Sequence, residues 1–74
     1  IVCEVPRDGK LHVRIFNVRG ELVATLIDEV VQPGSHDVFW DGKDAGGTAV
    51  SSGVYFYIAE AAGKSIIDKI ALIK

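Results

Sequence analysis

The sequence of 74 residues predicts an all-β fold, a small antiparallel sandwich formed by one domain. Short runs rich in aliphatic and aromatic residues recur along the chain, with Gly, Pro, Asn and Asp clusters between them. No window shows the 3.6-residue period of an amphipathic helix. Apolar residues make up 49% of the chain, enough for one thin core. Domains this small bury only about 60% of the surface of the unfolded chain, so we expect modest stability.

Charge and hydropathy exclude two classes of partner. The net charge of -2 and the pI of about 5.5 provide no basic face, so nucleic-acid binding is not expected. No apolar run approaches the roughly 20 residues that cross a bilayer, so membrane insertion is not expected either. The chain starts without Met and inside a strand-like run. We therefore expect residues 1–74 to be a single module from the C-terminal or internal part of a longer protein.

The first part of the chain predicts a strand, a turn and a hairpin. Residues 1–5 form the first strand-like run, in which Cys3 alternates with aliphatic residues and is expected to be a buried apolar side chain. Residues 10–18 alternate apolar and polar side chains, as in a strand with one wet face. Phe16 breaks the polar face and is expected to cover an open end of the sandwich. Residues 17–20 suit a type I turn with a G1 bulge, which predicts a tight hairpin.

The middle of the chain predicts a second pair of strands. Residues 21–27 form the partner strand, which two acidic residues are expected to end, and residues 30–31 form a short edge piece before a Pro-Gly turn. Residues 35–41 are the next strand. Trp40, on its apolar face, is predicted to be the central core residue, with its indole N–H bonded to a turn carbonyl.

The glycine-rich stretch from residue 41 to 47 is predicted to be a structural turn. Its carboxylates suggest a Ca²⁺ loop, but their spacing differs from that of an EF-hand and the closing Glu is missing. The better interpretation is a set of Asx turns, in which the side chains of Asp41 and Asp44 accept bonds from backbone N–H groups. Gly42 and Gly47 would then adopt positive φ. A phosphate loop is not expected, because no helix follows.

A second glycine, Gly53, precedes the most aromatic run in the sequence. This run is apolar on both faces and is therefore predicted to be a central strand. Tyr55, Phe56 and Tyr57 are candidate interaction residues, either packed in the core or an interface or exposed as a stacking platform for sugar rings. Residues 48–50 are expected to add a short strand before this run, and residues 62–64 are predicted to form a hairpin turn after it.

The last run, residues 65–74, carries charges on an otherwise apolar strand, which is expected to discourage edge-to-edge aggregation. Neither histidine suggests catalysis or metal binding. His12 is expected to be a solvated strand residue, and His36 a partly buried one with a single hydrogen bond. With no pair of nucleophile and base, and little room for a ligand-sized cleft in so small a sandwich, neither an enzyme nor a cofactor is expected.

These motifs together resemble the immunoglobulin-like domain named after the flagellar hook-capping protein FlgD, and related C-terminal modules of bacterial secreted proteins. The Trp-Asp-Gly turn combined with the Ser-Gly-Val-Tyr strand start is the specific part of the resemblance. Asn17 stands where the family often has Asp, which affects only a turn. The matching segments are residues 11–23, 33–36, 38–47, 52–57 and 69–74.

The resemblance implies an immunoglobulin/fibronectin-III-like β-sandwich of about seven strands, without catalytic residues or a bound cofactor. It implies a non-catalytic accessory, sorting or surface-attachment module of an extracellular or cell-surface bacterial protein. Its partners would be the rest of the parent polypeptide and the export machinery, a cell-surface component or a polysaccharide. Two alternatives remain: a carbohydrate-binding module appended to a secreted glycoside hydrolase, and an assembly domain of the hook-capping type.

Overall fold

The computed structural model describes residues 1–73 and shows two antiparallel sheets. Its strands within these residues are β1 (Val2–Val5), β2 (Gly9–Phe16), β3 (Leu22–Val31), β4 (Gly34–Asp37), β5 (Gly53–Ala61) and β6 (Lys64–Leu72). The prediction of an all-β antiparallel sandwich is confirmed. Six strands are present where about seven were expected, because residues 48–50 contribute only an isolated bridge between Lys43 and Ala49.

The larger sheet has the strand order β3-β2-β5-β6, and the smaller sheet consists of β1 and β4. β5 lies between β2 and β6, which confirms that the aromatic run is a central strand. Both hairpin turns are as predicted: the Gly20 N–H donates to the Asn17 carbonyl at 3.0 Å, and Ala62 and Gly63 join β5 to β6 with positive φ. β1 and β6 are edge strands of different sheets.

The core lies between the two sheets and centres on β2. Leu11, Val13 and Ile15 are completely buried on the inner face of the larger sheet. β1 covers part of this face with Cys3 and Val5, which are 6% and 3% exposed. The prediction that Cys3 is a buried apolar residue is confirmed.

Trp40 lies at the border of the core, where it is half-buried. The strand predicted for residues 35–41 ends at Asp37, and the chain then leaves the sheet. Ile1 and Val38 exchange two backbone hydrogen bonds, of 3.0 and 2.7 Å, which continue the pairing of β1 with β4 by one residue pair. Trp40 does not belong to the buried core cluster, which includes Leu11, Val13 and Val38. The prediction that Trp40 forms the centre of the core is therefore wrong.

β3 continues to Val31 without the predicted break after Ile27. Asp28 lies opposite His12 in the β2–β3 pairing, on the outer face of the sheet. Its carboxylate is 3.1 Å from the Lys10 ammonium and 3.5 Å from the His12 imidazole. The acidic residue is thus in contact with Lys10 and His12 across the strands, so it does not end β3.

Phe16 does not cover an end of the sandwich, as the sequence suggested. It follows His12 and Arg14 at even positions of β2, and it is paired with Phe56 of β5. The alternation of a strand places all of these side chains on the outer face of the larger sheet. Phe16 therefore contributes to an outward-facing surface.

Candidate functional site

The glycine-rich loop between β4 and β5 is held by its own carboxylates. Asp44 Oδ1 accepts hydrogen bonds from the backbone N–H groups of Gly46 and Thr48, both at 3.0 Å. Asp41 Oδ1 accepts one from the N–H of Lys43 at 3.1 Å. These are the bonds of Asx turns. The arrangement gives the two aspartates a role in loop structure.

Two glycines of this loop adopt backbone conformations that other residues avoid. Gly42 has φ of 76° and Gly47 has φ of 82°. A Cβ atom at Gly42 would lie 3.3 Å from Leu72 Cδ1, whereas one at Gly47 would meet no atom within 4 Å. The buried Gly42 thus combines a positive φ with a close contact to β6.

Two aromatic residues fix the ends of the same loop. The indole N–H of Trp40 donates to the Lys43 carbonyl at 3.0 Å, and the Tyr55 hydroxyl donates to the Ser51 carbonyl at 2.7 Å. The two rings contact each other edge to face. Gly53, just before Tyr55, begins β5 and has no atom within 4 Å of its Cβ position. Trp40 and Tyr55 hence connect the loop to the core.

The three aromatic candidates of β5 do not share one face. Tyr55 is only 7% exposed, and Tyr57 is half-buried against the core on the same inner face. Phe56 points to the outer face, where it is paired with Phe16. Burial, followed by the charge of Asp68, raises the pKa of Tyr57. A platform of three adjacent rings is therefore not formed.

The outer face of the larger sheet carries a surface that we call the outer apolar patch. Phe56 neighbours Phe16 across β2 and β5, and Ile58 neighbours Ile67 across β5 and β6. With Val18, which is 71% exposed, they line a shallow hollow of about 340 Å³. Sequence reasoning did not find this patch as a unit, although two signals indicated it: an apolar residue on the polar face of β2, and a β5 that is apolar on both faces.

A cleft of about 390 Å³ lies between β1 and the β5–β6 hairpin. Its walls are mainly apolar, and the polar side chains along it include those of Glu4, Tyr57, Lys64 and Ser65. The expectation that the sandwich has little room for a ligand-sized cleft is therefore wrong, since such sites start at about 300 Å³.

The titratable side chains outside the loop form no site of their own within residues 1–73. His36 Nε2 is 2.6 Å from the Gln32 carbonyl, the single hydrogen bond predicted for it. The hydrogen bond from Lys10 holds the pKa of Asp28 below its usual range, with smaller contributions from the neighbouring cations. Burial raises the pKa of the Cys3 thiol. Residues 1–73 contain no group of three His, Cys, Asp or Glu side chains arranged to hold a metal ion.

The sequence that forms this loop and these strands matches the model of a known protein family. The model of the FlgD Ig-like domain matches residues 7–65, from the turn before β2 to the beginning of β6. The chain belongs to the FlgD Ig-like domain family. The match includes the Asn17 turn, the Trp40 loop and all of β5, whereas residues 69–74, which also contributed to the resemblance, lie beyond it.

Comparisons of this FlgD Ig-like domain with curated proteins and with solved structures each give no match. Among residues 1–73 no helix is long and apolar enough to cross a membrane.

Proposed function

We propose that this FlgD Ig-like domain is a non-catalytic assembly module that contacts another protein through the outer apolar patch. The observation that carries the proposal is the pairing of Phe16 with Phe56 on the outer face of the larger sheet. The outer face of an antiparallel sheet is normally polar when it faces water. Contiguous exposed apolar surface marks interaction sites, and aromatic side chains supply much of the binding energy of protein interfaces.

The composition of the patch supports a protein partner. Ile67 and Val18 are 67% and 71% exposed, and they extend the patch beyond the two rings. Aliphatic side chains of this kind add apolar area that is removed from water on binding, at about 25 cal/mol per Å². The rim is polar and includes Asn17 and Lys69, the latter opposite Phe56 on β6. An apolar centre with a polar rim is the usual anatomy of a protein interface.

The proposal places the module in an exported bacterial protein, at the cell surface or outside the cell. Family membership supports an assembly role of the hook-capping type. Accessory, sorting and surface-attachment roles are forms of the same activity, since each requires a protein or surface contact and no chemistry. The carboxylates of Asp41 and Asp44 hold backbone N–H groups, which supports a loop that serves structure and not catalysis.

Carbohydrate binding is the second candidate, and one observation favours it. Phe16 and Phe56 lie side by side and face outward, as two rings that stack on sugars would. Retention on insoluble cellulose, xylan or chitin that is lost in the F56A variant would support this function. Undiminished retention by F56A, or no retention of the native chain, would remove it.

Site-specific photo-crosslinking tests the protein contact directly. A benzophenone amino acid replaces Phe56 in the protein as its native cells produce it, and cross-linked products are identified by mass spectrometry. The matched control carries the same group at Glu60, which lies on the same strand and outer face but outside the patch. We expect position 56 to capture one protein species that position 60 does not. Equal capture from both positions, or capture from neither, would overturn the proposal.

A further inference from the structure

The free edge of β6 is regular and accessible. β6 pairs with β5 without a bulge along its whole length, with Leu72 opposite Gly53 at one end and Lys64 opposite Ala61 at the other. No other described strand pairs with β6. A two-residue turn joins the strands, so Ala61 and Lys64 form a hydrogen-bonded pair, and such pairs recur at every second residue. The backbone groups of Ser65, Ile67 and Lys69 therefore point away from the sheet. Bare edges of this kind accept a further strand.

The inner face of this edge carries Lys64, Ile66 and Asp68 at alternate positions. All three side chains are exposed, and Ile66 is 60% exposed beside the cleft between β1 and β6. Neither Lys64 nor Asp68 makes an ion pair within residues 1–73. Four residues along a strand separate them by about 13 Å, so they do not pair with each other in one chain.

We propose that β6 pairs antiparallel with β6 of a second copy of this chain, about a two-fold axis at Ile66. In this register Ser65 of each copy exchanges backbone hydrogen bonds with Ile67 of the other. The two Ile66 side chains face each other at the axis. Lys64 of each copy lies opposite Asp68 of the other, so two ion pairs flank the apolar contact. A two-fold interface requires such self-complementarity.

Neighbouring two-fold registers lack this complementarity. An axis at Asp68 would place the two Asp68 carboxylates opposite each other, and an axis at Lys69 would do the same for two ammonium groups. An axis at Ile67 would place Asp68 opposite Ile66. Like charges directly opposite each other in a sheet are destabilising, and opposite charges are stabilising. The charges of β6, expected from the sequence to discourage edge pairing, instead select one register.

The pairing has two consequences for the surface. It would join two four-stranded sheets into one sheet of eight strands, with both outer apolar patches on the same side. It would also place Ile66 of the second copy beside the open side of the cleft. The β6 contact uses the edge of the sheet and not the outer apolar patch. The dimer can therefore be absent while the patch still binds a protein, and the dimer can form even if the patch binds none.

Charge reversal with sedimentation velocity tests the proposal. We expect the native chain to dimerise as its concentration rises. K64D and D68K should each raise the dimer dissociation constant about tenfold or more, because both ion pairs become repulsive. Equimolar K64D and D68K should form a mixed dimer, since one chain then offers two carboxylates and the other two ammonium groups. K43D, with the same charge change in an exposed loop, should dimerise like the native chain. A native chain that stays monomeric, open-ended oligomers, or variants that dimerise like the native chain would overturn the proposal.

Disulfide trapping tests the register. In a Cys3→Ala background, I66C should form an intermolecular disulfide under mild oxidation, because directly opposite Cβ atoms of a non-hydrogen-bonded pair lie within disulfide range. I67C should form at least tenfold less. Preferential trapping of I67C would contradict an axis at Ile66, and equal trapping of both variants would contradict any defined register.

Discussion

Trp40 and Tyr55 meet edge to face, with ring centroids 5.1 Å apart and an angle of 70° between the ring planes. Trp40 follows the smaller sheet, and Tyr55 belongs to the central strand of the larger one. Each side chain also donates a hydrogen bond to a carbonyl of the loop between them. The pair thus connects the two sheets at the end where the strands of the smaller sheet have already stopped.

The two rings should be energetically coupled. Edge-to-face aromatic pairs contribute about 0.5 to 1.5 kcal/mol beyond the burial of their area. In a double-mutant cycle of W40L, Y55L and the combined variant, measured by urea unfolding, we expect a coupling energy of about 1 kcal/mol. Free-energy changes that add to within about 0.3 kcal/mol would show that the contact has no stabilising role.

Substitution of Gly42 should destabilise the domain more than the same substitution at Gly47. Both residues adopt positive φ, so alanine at either position should cost about 1 to 2 kcal/mol. Only the alanine Cβ at Gly42 would also press against Leu72, so G42A should cost more than G47A. Chemical unfolding of both variants measures the difference, and the L72A background should reduce the cost of G42A to that of G47A. Equal costs in the native background would contradict the close approach.

The Cys3 thiol should react slowly in the folded domain. Its side chain is buried, and burial raises its pKa, so both access and the thiolate fraction are low. We expect the reaction with Ellman's reagent at neutral pH to be at least tenfold slower in buffer than in guanidinium chloride. A C3A/V30C variant, with its thiol on an exposed position of β3, is the control and should react rapidly in both. A reaction rate in buffer close to the rate in guanidinium chloride would show that Cys3 is not buried against the larger sheet.

The pKa of Asp28 should lie below its usual range. The hydrogen bond from Lys10 is the main cause of its lowered pKa. A lowered pKa in the folded state means that the contribution of Asp28 to stability is present above its unfolded pKa, about 4, and is lost as pH falls below that value. We expect NMR titration to give a low pKa for Asp28 in the native chain and a higher one in K10Q. An unchanged pKa in K10Q would show that Lys10 is not its partner in solution.

The sequence predicted the elements that depend on local pattern. The alternation of Leu11, Val13 and Ile15 identified the core strand, and Asn17 and Gly20 identified the hairpin turn that the structure shows. The apolar pattern of β5 on both faces identified a central strand, because such a strand has neighbours on either side.

The features that sequence reasoning missed depend on how strands from distant segments meet. Trp40 lies at the border of the core because the chain leaves the smaller sheet after Asp37, which no local pattern reveals. β3 passes through Asp28 because Lys10 and His12 lie opposite on another strand. The outer patch needs Phe16 and Phe56 to be adjacent, although they lie 40 residues apart in the sequence.

Hydroxyl-radical footprinting of the native assembly tests the central claim most directly, since it reports which rings are covered when the protein is in place. The oxidation of Phe16 and Phe56 would be compared between the isolated domain and the protein in its cellular context. Phe39, which is 85% exposed and lies outside the patch, is the internal control. The outer-patch interface predicts that Phe16 and Phe56 become protected at least several-fold while Phe39 keeps its rate. Equal oxidation of Phe56 in both states would contradict the claim that this face binds a protein.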